Sequence, residues 1–573
     1  MFRLPLATAL RSVNWQVYTG VPLQRDILAG ITVGIVAVPL AMALAIASGV
    51  PPQHGLYTSI IAGMMIAATG GSAVNISGPT AAFVVILLPI SHRFGLGGLM
   101  LATVMAGMML IIMGILRAGR FIRLIPYPVT AGFTAGIGVV IALLQIKDFL
   151  GLEVQGASLH FLERLRDILS ALHTLNWPDL GIGVLTLALL RYWPTMRTHI
   201  PSHLVALTLA ALAAWAGVRF IDGFTVATIG SQFEFVLPNG GIGHGIPAVL
   251  PSLAWPWSQP DAHGNPIGLS WSLITLLMGP AFTIAMLGAI ESLLCAVVAD
   301  GMTGQRHDPD AELVGQGLGN MVAPFFGGIA ATAAIARTAT NVRSGGRTPV
   351  AALVHSLIML TGVIMLAPLL SLLPMAALAA LLLMVAWHMA DARGFINMVR
   401  ISPRGDVGVL LVCFFCTVIF DMVVAVSVGL ILAAMIFIRR MMDLTGSELL
   451  DHREHEHLAG LPETVAVYDI DGPLFFGAAD KTVSTLHHYR RSLRVVILDM
   501  TDVPMMDITG MLAVKELLQK LRSDGIAVVI ACLAPRIEEK LVRAGVQADV
   551  AWLHFCGRLE DARAAALALS ERP

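Results

Sequence analysis

Two charged residues lie where the 573-residue chain is otherwise apolar. Arg337 sits in the middle of Phe326–Arg347, a stretch that opens Phe-Gly-Gly, is filled with alanine and threonine, and stands between apolar runs long enough to cross a bilayer. Glu291 is the one acid in the apolar run Trp271–Ala299. An arginine at membrane depth costs about 2.5–3.5 kcal/mol on insertion scales unless it faces water or a partner. A short helix bounded by glycine would aim its N-terminal dipole and its free N–H groups into a cavity. Together these features describe a cationic site inside the membrane, suited to a small anion. Acids at membrane depth line ion and proton pathways, which makes Glu291 a candidate proton carrier. The plainer roles are an interhelical hydrogen bond for Glu291 and a structural salt bridge between Arg337 and Glu291. Thr332, Thr338 and Asn341 either add donors or pack.

Such a site calls for a second interrupted segment, because inverted-repeat carriers place two broken helices at one midplane site. Ser77-Gly78-Pro79-Thr80, led in by Val74-Asn75-Ile76, has that character. Gly78 and Pro79 mark the start of a half-helix, although both residue types also occur as simple kinks in membrane helices. The candidate anion-binding residues are therefore Ser77, Gly78, Pro79 and Thr80 from the first segment and Ala336, Arg337 and Thr338 from the second. Glu291 is the candidate for proton coupling.

The composition is 56% hydrophobic and 13% charged, with mean hydropathy +0.79. Those values describe a polytopic membrane protein. A net charge of −1 argues against a nucleic-acid partner. The apolar runs predict about fourteen spans, several of them short. They lie at 27–48, 57–69, from Ser77, 99–116, 128–146, near Leu180, near Leu204, 271–299, 313–325, the Arg337 stretch, 350–370, 375–389, 407–420 and 422–438. Residues 158–173 read as an amphipathic surface helix, and 220–270 are rich in glycine and proline. Arginines such as Arg117, Arg120, Arg123, Arg191 and Arg197 concentrate in alternate loops, which places both termini in the cytoplasm by the positive-inside rule. Five cysteines imply no disulfide frame: Cys295, Cys413 and Cys416 fall in apolar runs and Cys532 in a strand. Cys413-Phe-Phe-Cys416 reads as packing rather than a metal site, and Gly315-Gln-Gly-Leu-Gly319 as close helix packing rather than a phosphate loop.

After Arg440 the pattern changes. Residues 441–460 are polar, with His452, His455 and His457 among acids, and read as a solvated linker rather than a weak metal site. From Leu461 the pattern is soluble α/β: strands at 465–470, 494–499 and 527–532, and a helix at 511–521. Asp499 reads as a strand end. Thr509 reads as a helix N-cap.

Pro39-Leu-Ala-Met-Ala-Leu-Ala-Ile-Ala-Ser-Gly-Val-Pro-Pro-Gln-His-Gly-Leu-Tyr57-Thr-Ser resembles the signature of the SulP anion transporters. The likeness covers almost the whole chain. It includes Asn75-Ile-Ser-Gly-Pro-Thr80, Gly288-Ala-Ile-Glu-Ser-Leu-Leu294, Ala299-Asp-Gly-Met-Thr-Gly304 and a terminal domain similar to STAS domains. It implies a polytopic α-helical fold of seven plus seven spans as an inverted repeat, split into a core and a gate, with a small cytoplasmic α/β domain. The expected organisation is an N-terminal segment 1–26, a transport domain 27–440, a linker 441–460 and a STAS domain 461–573. The resemblance also implies a functional acid at Glu291 and a homodimer, and leaves room for a cytoplasmic protein partner of the STAS domain. The place of Thr509 is also similar to the position phosphorylated in related signalling domains. The runs 288–298, 313–326 and 384–387 are similar to enterobacterial members that carry C4-dicarboxylic acids. The expected activity is thus proton-coupled secondary transport of succinate, fumarate or aspartate across a bacterial inner membrane. Sulfate or bicarbonate, and sodium in place of the proton, are the alternatives, as is a membrane-anchored STAS scaffold that carries nothing. No enzyme activity, cofactor or metal is expected. Leu40 departs from the family pattern, where many members carry glutamine, so substrate choice does not transfer from those members.

Overall fold

The computed structural model describes residues 6–13, 15, 18, 20–154, 161–196, 200–236, 241–420, 422–443, 446–450, 461–475 and 493–571. His452, His455 and His457 lie outside them. The chain divides into two compact units, Met1–Leu430 and Ile431–Pro573.

The first unit is helical because in lipid every backbone N–H and C=O must find its partner within its own segment. It opens with α1 (Thr8–Arg11), α2 (Val21–Ala47), α3 (Pro52–Thr69), the two-residue strand β1 (Ser77–Gly78) and α4 (Ala81–Ile115). Prolines in the first turn start α2 and α3, where no N–H is needed. Then come α5 (Tyr127–Leu150), α6 (Phe161–Ala171), α7 (Trp177–Tyr192), α8 (Ser202–Phe220), α9 (Ile229–Gln232) and the hairpin β2 (Glu234–Val236) and β3 (Ile242–His244). They are followed by α10 (Trp271–Thr303), α11 (Pro309–Val322), β4 (Thr332–Ala333), α12 (Ile335–Arg343), α13 (Pro349–Leu370), α14 (Met375–Ala390), α15 (Ala392–Ile401), α16 (Arg404–Ile419) and α17 (Met422–Asp443).

Among the described residues, eight helical segments are long and apolar enough to cross a membrane. With α4 divided at Gly95, whose φ of 68° and ψ of −172° break the helix, these and the shorter α3, α7, α11, α12 and α16 match the runs read from the sequence. Several boundaries shift by a few residues: α2 begins at Val21, α3 at Pro52 and α11 at Pro309, and α10 runs on to Thr303. One shift bears on the site. The half-helix α12 does not open at Gly327; that residue, at φ 78°, closes a tight turn after α11, and the chain then runs extended into β4. Glycine ends a helix in the left-handed conformation more readily than it begins one.

The order long helix, shorter helix, short strand, helix occurs twice: α2, α3, β1, α4 and α10, α11, β4, α12. The packing repeats with it. Helix α4 lies against α10 and α11, and α13 lies against α2 and α3, forming the core group. The gate group pairs α5 with α14 and α16, and α7 with α8 and α14. Small residues permit the close crossings: a Cβ on Gly107 of α4 would stand 2.7 Å from the Gly317 carbonyl of α11, and one on Gly317 would stand 2.7 Å from the Gly107 carbonyl. The glycine-rich run 315–319 is thus a packing surface, as its setting suggested.

The second unit holds a five-stranded sheet in the order β5 (Gly446–Leu450), β6 (Val465–Asp471), β7 (Val495–Asp499), β8 (Ala527–Ala531), β9 (Leu553–Cys556). The first pair is antiparallel and the rest parallel. Alternate residues serve opposite faces. Tyr468, Leu498 and Ile530 pack with α18 (Ile508–Ser523) and α19 (Pro535–Arg543), while Val467, Ile497 and Val529 pack with α20 (Leu559–Ser570). Strand β5 falls within 441–460, so that stretch is not wholly linker. Cys532 lies one residue past β8, at φ 57°. Thr509 is not the N-cap of α18: Asp507 is, its Oδ1 accepting from Gly510 N at 2.7 Å.

Candidate anion-binding site

Strands β1 and β4 pair antiparallel, Ser77 opposite Ala333 and Gly78 opposite Thr332. Each strand runs almost at once into its helix, so α4 and α12 leave the junction in opposite directions with their N-terminal ends together. The first-turn N–H groups of both helices have no intrahelical partner and carry the positive end of the helix dipole. On α12 that turn faces open space: Ile335 is 43% exposed and Ala336 is exposed, while Arg337 is only 4% exposed.

The Arg337 guanidinium reaches across the junction. Its Nη2 donates to the Pro79 carbonyl at 3.0 Å. Its Nε and Nη1 are buried and have no partner among the described residues. Gly78 makes this approach possible, since a Cβ there would stand 2.6 Å from Arg337 Nη1 and 2.9 Å from Ser59 Oγ. Glu291, on α10, is half-buried, and its Oε2 accepts from Thr80 Oγ1 at 2.9 Å. Arg337 and Glu291 form no salt bridge within 4.0 Å. The two side chains are thus near each other without a direct ion pair.

Gly78, Pro79, Thr80, Ala336 and Arg337 come together at this junction. Ser77 and Thr338 are adjacent, but their hydroxyls serve the scaffold. Ser77 Oγ accepts from Gln316 Nε2 at 3.1 Å; Thr338 Oγ1 accepts from Ile76 N at 3.0 Å and from Cys295 Sγ at 3.2 Å. Thr332 donates to the Gly288 carbonyl and Asn341 to the Val74 carbonyl, so these side chains are also held by scaffold bonds.

Glu312, absent from the expected site, supports the junction as well. It is 1% exposed, and its carboxylate accepts from Gly71 N, Ser72 N, Asn75 Nδ2 and Gln316 Nε2, all at 3.0–3.1 Å. This carboxylate fixes the loop that delivers β1 to the junction. Asn320 continues the stripe, donating to the Ala331 carbonyl and accepting from Ala331 N ahead of β4. The signal was present: Glu312, Gln316 and Asn320 are spaced four apart, on one helical face.

A buried guanidinium with unpaired donors and no direct ion-pair partner is costly unless an anion completes it. Arginine offers carboxylates and other oxyanions a planar fork of donors. Two facing helix N-termini beside it add partial positive charge of the kind that binds oxyanions. The arrangement can hold one small anion, with a carboxyl group close at hand.

A model of the Sulfate permease family matches residues 23–413, and one of the STAS domain matches residues 459–562. YvdB of Bacillus subtilis (strain 168), named as a candidate sulfate transporter, is 38% identical over 534 residues, covering 93% of this chain and 96% of its own. BicA of Picosynechococcus, named as a bicarbonate transporter, is 28% identical over 522 residues, covering 87% of this chain and 86% of its own. The solved structure of the murine Slc26a9 anion transporter in the inward-facing state matches with a TM-score of 0.81 over 98% of this chain and 94% of that one. At 17% identity, that is a likeness of fold.

Proposed function

This chain belongs to the sulfate permease family of anion transporters, and from that premise we propose that it is a proton-coupled secondary carrier whose anion site is the β1–β4 junction. It is a polytopic membrane transporter with a STAS domain, not an enzyme. The observation that carries the reading is Arg337, buried between two half-helix ends with two donors unpaired among the described residues. In this reading the anion docks on Arg337 and the first-turn N–H groups around Ala336 and Thr80, and Glu291 takes the coupling proton. The core group then moves against the gate group to open the site to each side in turn. Proton and anion strengthen each other's binding by linkage.

The substrate is a small carboxylate, with a C4-dicarboxylate first because of the resemblance carried by the runs 288–298, 313–326 and 384–387. Bicarbonate or sulfate is the second reading, favoured by the names of BicA and YvdB. The proposal includes a bacterial inner-membrane location with both termini cytoplasmic, domains at 27–440 and 461–573, a homodimer, and a cytoplasmic partner for the STAS domain. Uptake of labelled succinate, sulfate and bicarbonate into proteoliposomes, under an outside-acid pH gradient or a sodium gradient, tests it. Gradient-driven succinate accumulation supports the first reading. Accumulation of sulfate or bicarbonate alone replaces the substrate, accumulation only with sodium replaces the coupling ion, and no flux of any anion leaves the scaffold.

A further inference from the structure

A cavity of about 590 Å³ lies in the first unit, on the face of the helical bundle that carries α1. It is walled by Thr8 and Ser12 around α1, by Tyr18, by the loop 71–74, by the end of α10 and the loop 305–308, and by Arg347 and Thr348. We propose that it is a second binding site, for an organic phosphate: a soluble phosphoester or the headgroup of an anionic phospholipid.

The formal charges of the wall, Asp300 and Asp308 against Arg306 and Arg347, balance, so what counts is which of its groups are already hydrogen-bonded. Its carboxylates are already committed. Asp300 accepts from His307 N at 3.1 Å and bonds His307 Nδ1 at 2.7 Å. Asp308 caps α11 by accepting from Asp310 N and Ala311 N. Asp26, behind the rim, accepts from the Tyr18 hydroxyl and from Arg347 N. Burial and the bond to Asp26 push the Tyr18 phenol up to about 12, so it remains a donor to Asp26. The cations are not committed. Arg306 and Arg347 are exposed, and neither guanidinium has an ion-pair partner among the described residues. Thr8 Oγ1 is buried with no hydrogen bond among the described residues. What the wall leaves unpartnered among the described residues is therefore two arginine side chains and a hydroxyl.

Arginine forks match the oxygen geometry of phosphate. The volume lies in the range of small-molecule sites, about 300–1,000 Å³, and exceeds what a bare oxyanion fills, so the phosphate carries an organic group. The site is distinct from the junction but wired to it. Ser72 N is held by Glu312, and the Val74 carbonyl by Asn341 of α12, the helix that bears Arg337. An effect of occupancy on transport rests on the proposed function above; the binding itself does not.

The test uses the full-length chain carrying Arg337→Ala, so that the junction contributes nothing. It is placed in phosphatidylcholine nanodiscs and titrated with glycerol 3-phosphate; a second set of nanodiscs contains phosphatidylglycerol. Saturable glycerol 3-phosphate binding, weakened at least about tenfold by Arg306→Gln with Arg347→Gln, supports the soluble source. Failure of glycerol 3-phosphate, with a rise in thermal unfolding temperature in phosphatidylglycerol that the double variant loses, supports the headgroup. Arg306→Lys with Arg347→Lys keeps the charge, and should recover part of either response if the double glutamine variant unfolds. No response to either probe, or a response that neither pair of substitutions changes, overturns the proposal.

Discussion

The two half-helices reach the junction by the same route and bring different chemistry to it. Helix α4 is long and apolar, its first turn is buried, and it contributes a carbonyl at Pro79 and a hydroxyl at Thr80. Helix α12 has nine residues, an exposed first turn and the buried Arg337. The first half holds and aims; the second carries the charge. An internal repeat supplies matching backbone geometry from both sides, and the cationic side chain of the proposed site comes from one side alone. A second full cation on α4 would raise the desolvation cost without adding backbone donors.

Substitutions that remove one half's contribution would break this comparison. The largest effect belongs to the charge. Arg337→Ala should weaken anion binding roughly 10- to 150-fold, the equivalent of about 1.5–3 kcal/mol for charge-assisted hydrogen bonds, while the protein still inserts. A binding titration on the purified variant checks this, and unchanged affinity would remove Arg337 from the site. Next is Glu291→Gln, which keeps a side chain of similar shape beside Thr80 but cannot exchange a proton. With one proton per anion, each unit of pH gradient supports about tenfold accumulation. The variant should lose that accumulation yet retain anion exchange; retained accumulation would point to another proton carrier. Gly78→Ala should cost about 1–3 kcal/mol, because its Cβ would stand 2.6 Å from Arg337 Nη1. Gly288→Ala on α10, whose Cβ would have its nearest neighbour 3.6 Å away at Phe83, should be close to neutral. Thermal unfolding of the two variants compares them. The smallest effect is expected from deleting 461–573. Anion binding should persist, since no residue of the junction lies there, and its loss in a well-folded truncation would assign part of the site to the terminal domain.

Much of this was legible in the chain because it violates its surroundings. Arg337 and Glu291 stand out as charges in apolar runs, and Gly78-Pro79 as a break in one. The apolar runs themselves located the helices, and the alternation Val465–Ile470 located a strand. Less legible were features whose partners are remote. The four donors that meet Glu312 come from residues 71, 72, 75 and 316, so its role is invisible until α11 packs beside that loop. The same holds for the cap of α18: Asp507 and Thr509 both suit the position by type, and backbone geometry chose Asp507.

That the chain is a helical membrane protein with a terminal α/β domain, and that polar groups interrupt two of its spans, follows from the order of its residues. Those are consequences of transfer energy and local backbone preference, which each segment carries alone. Only the tertiary structure decided that the two interruptions face each other. It decided that Arg337 bonds the Pro79 carbonyl 258 positions away rather than Glu291, and that Ser77 and Thr338 turn toward the scaffold. Which donors are used up and which are left over depends on the pairing of groups remote in the chain, and that pairing exists only once the core has packed.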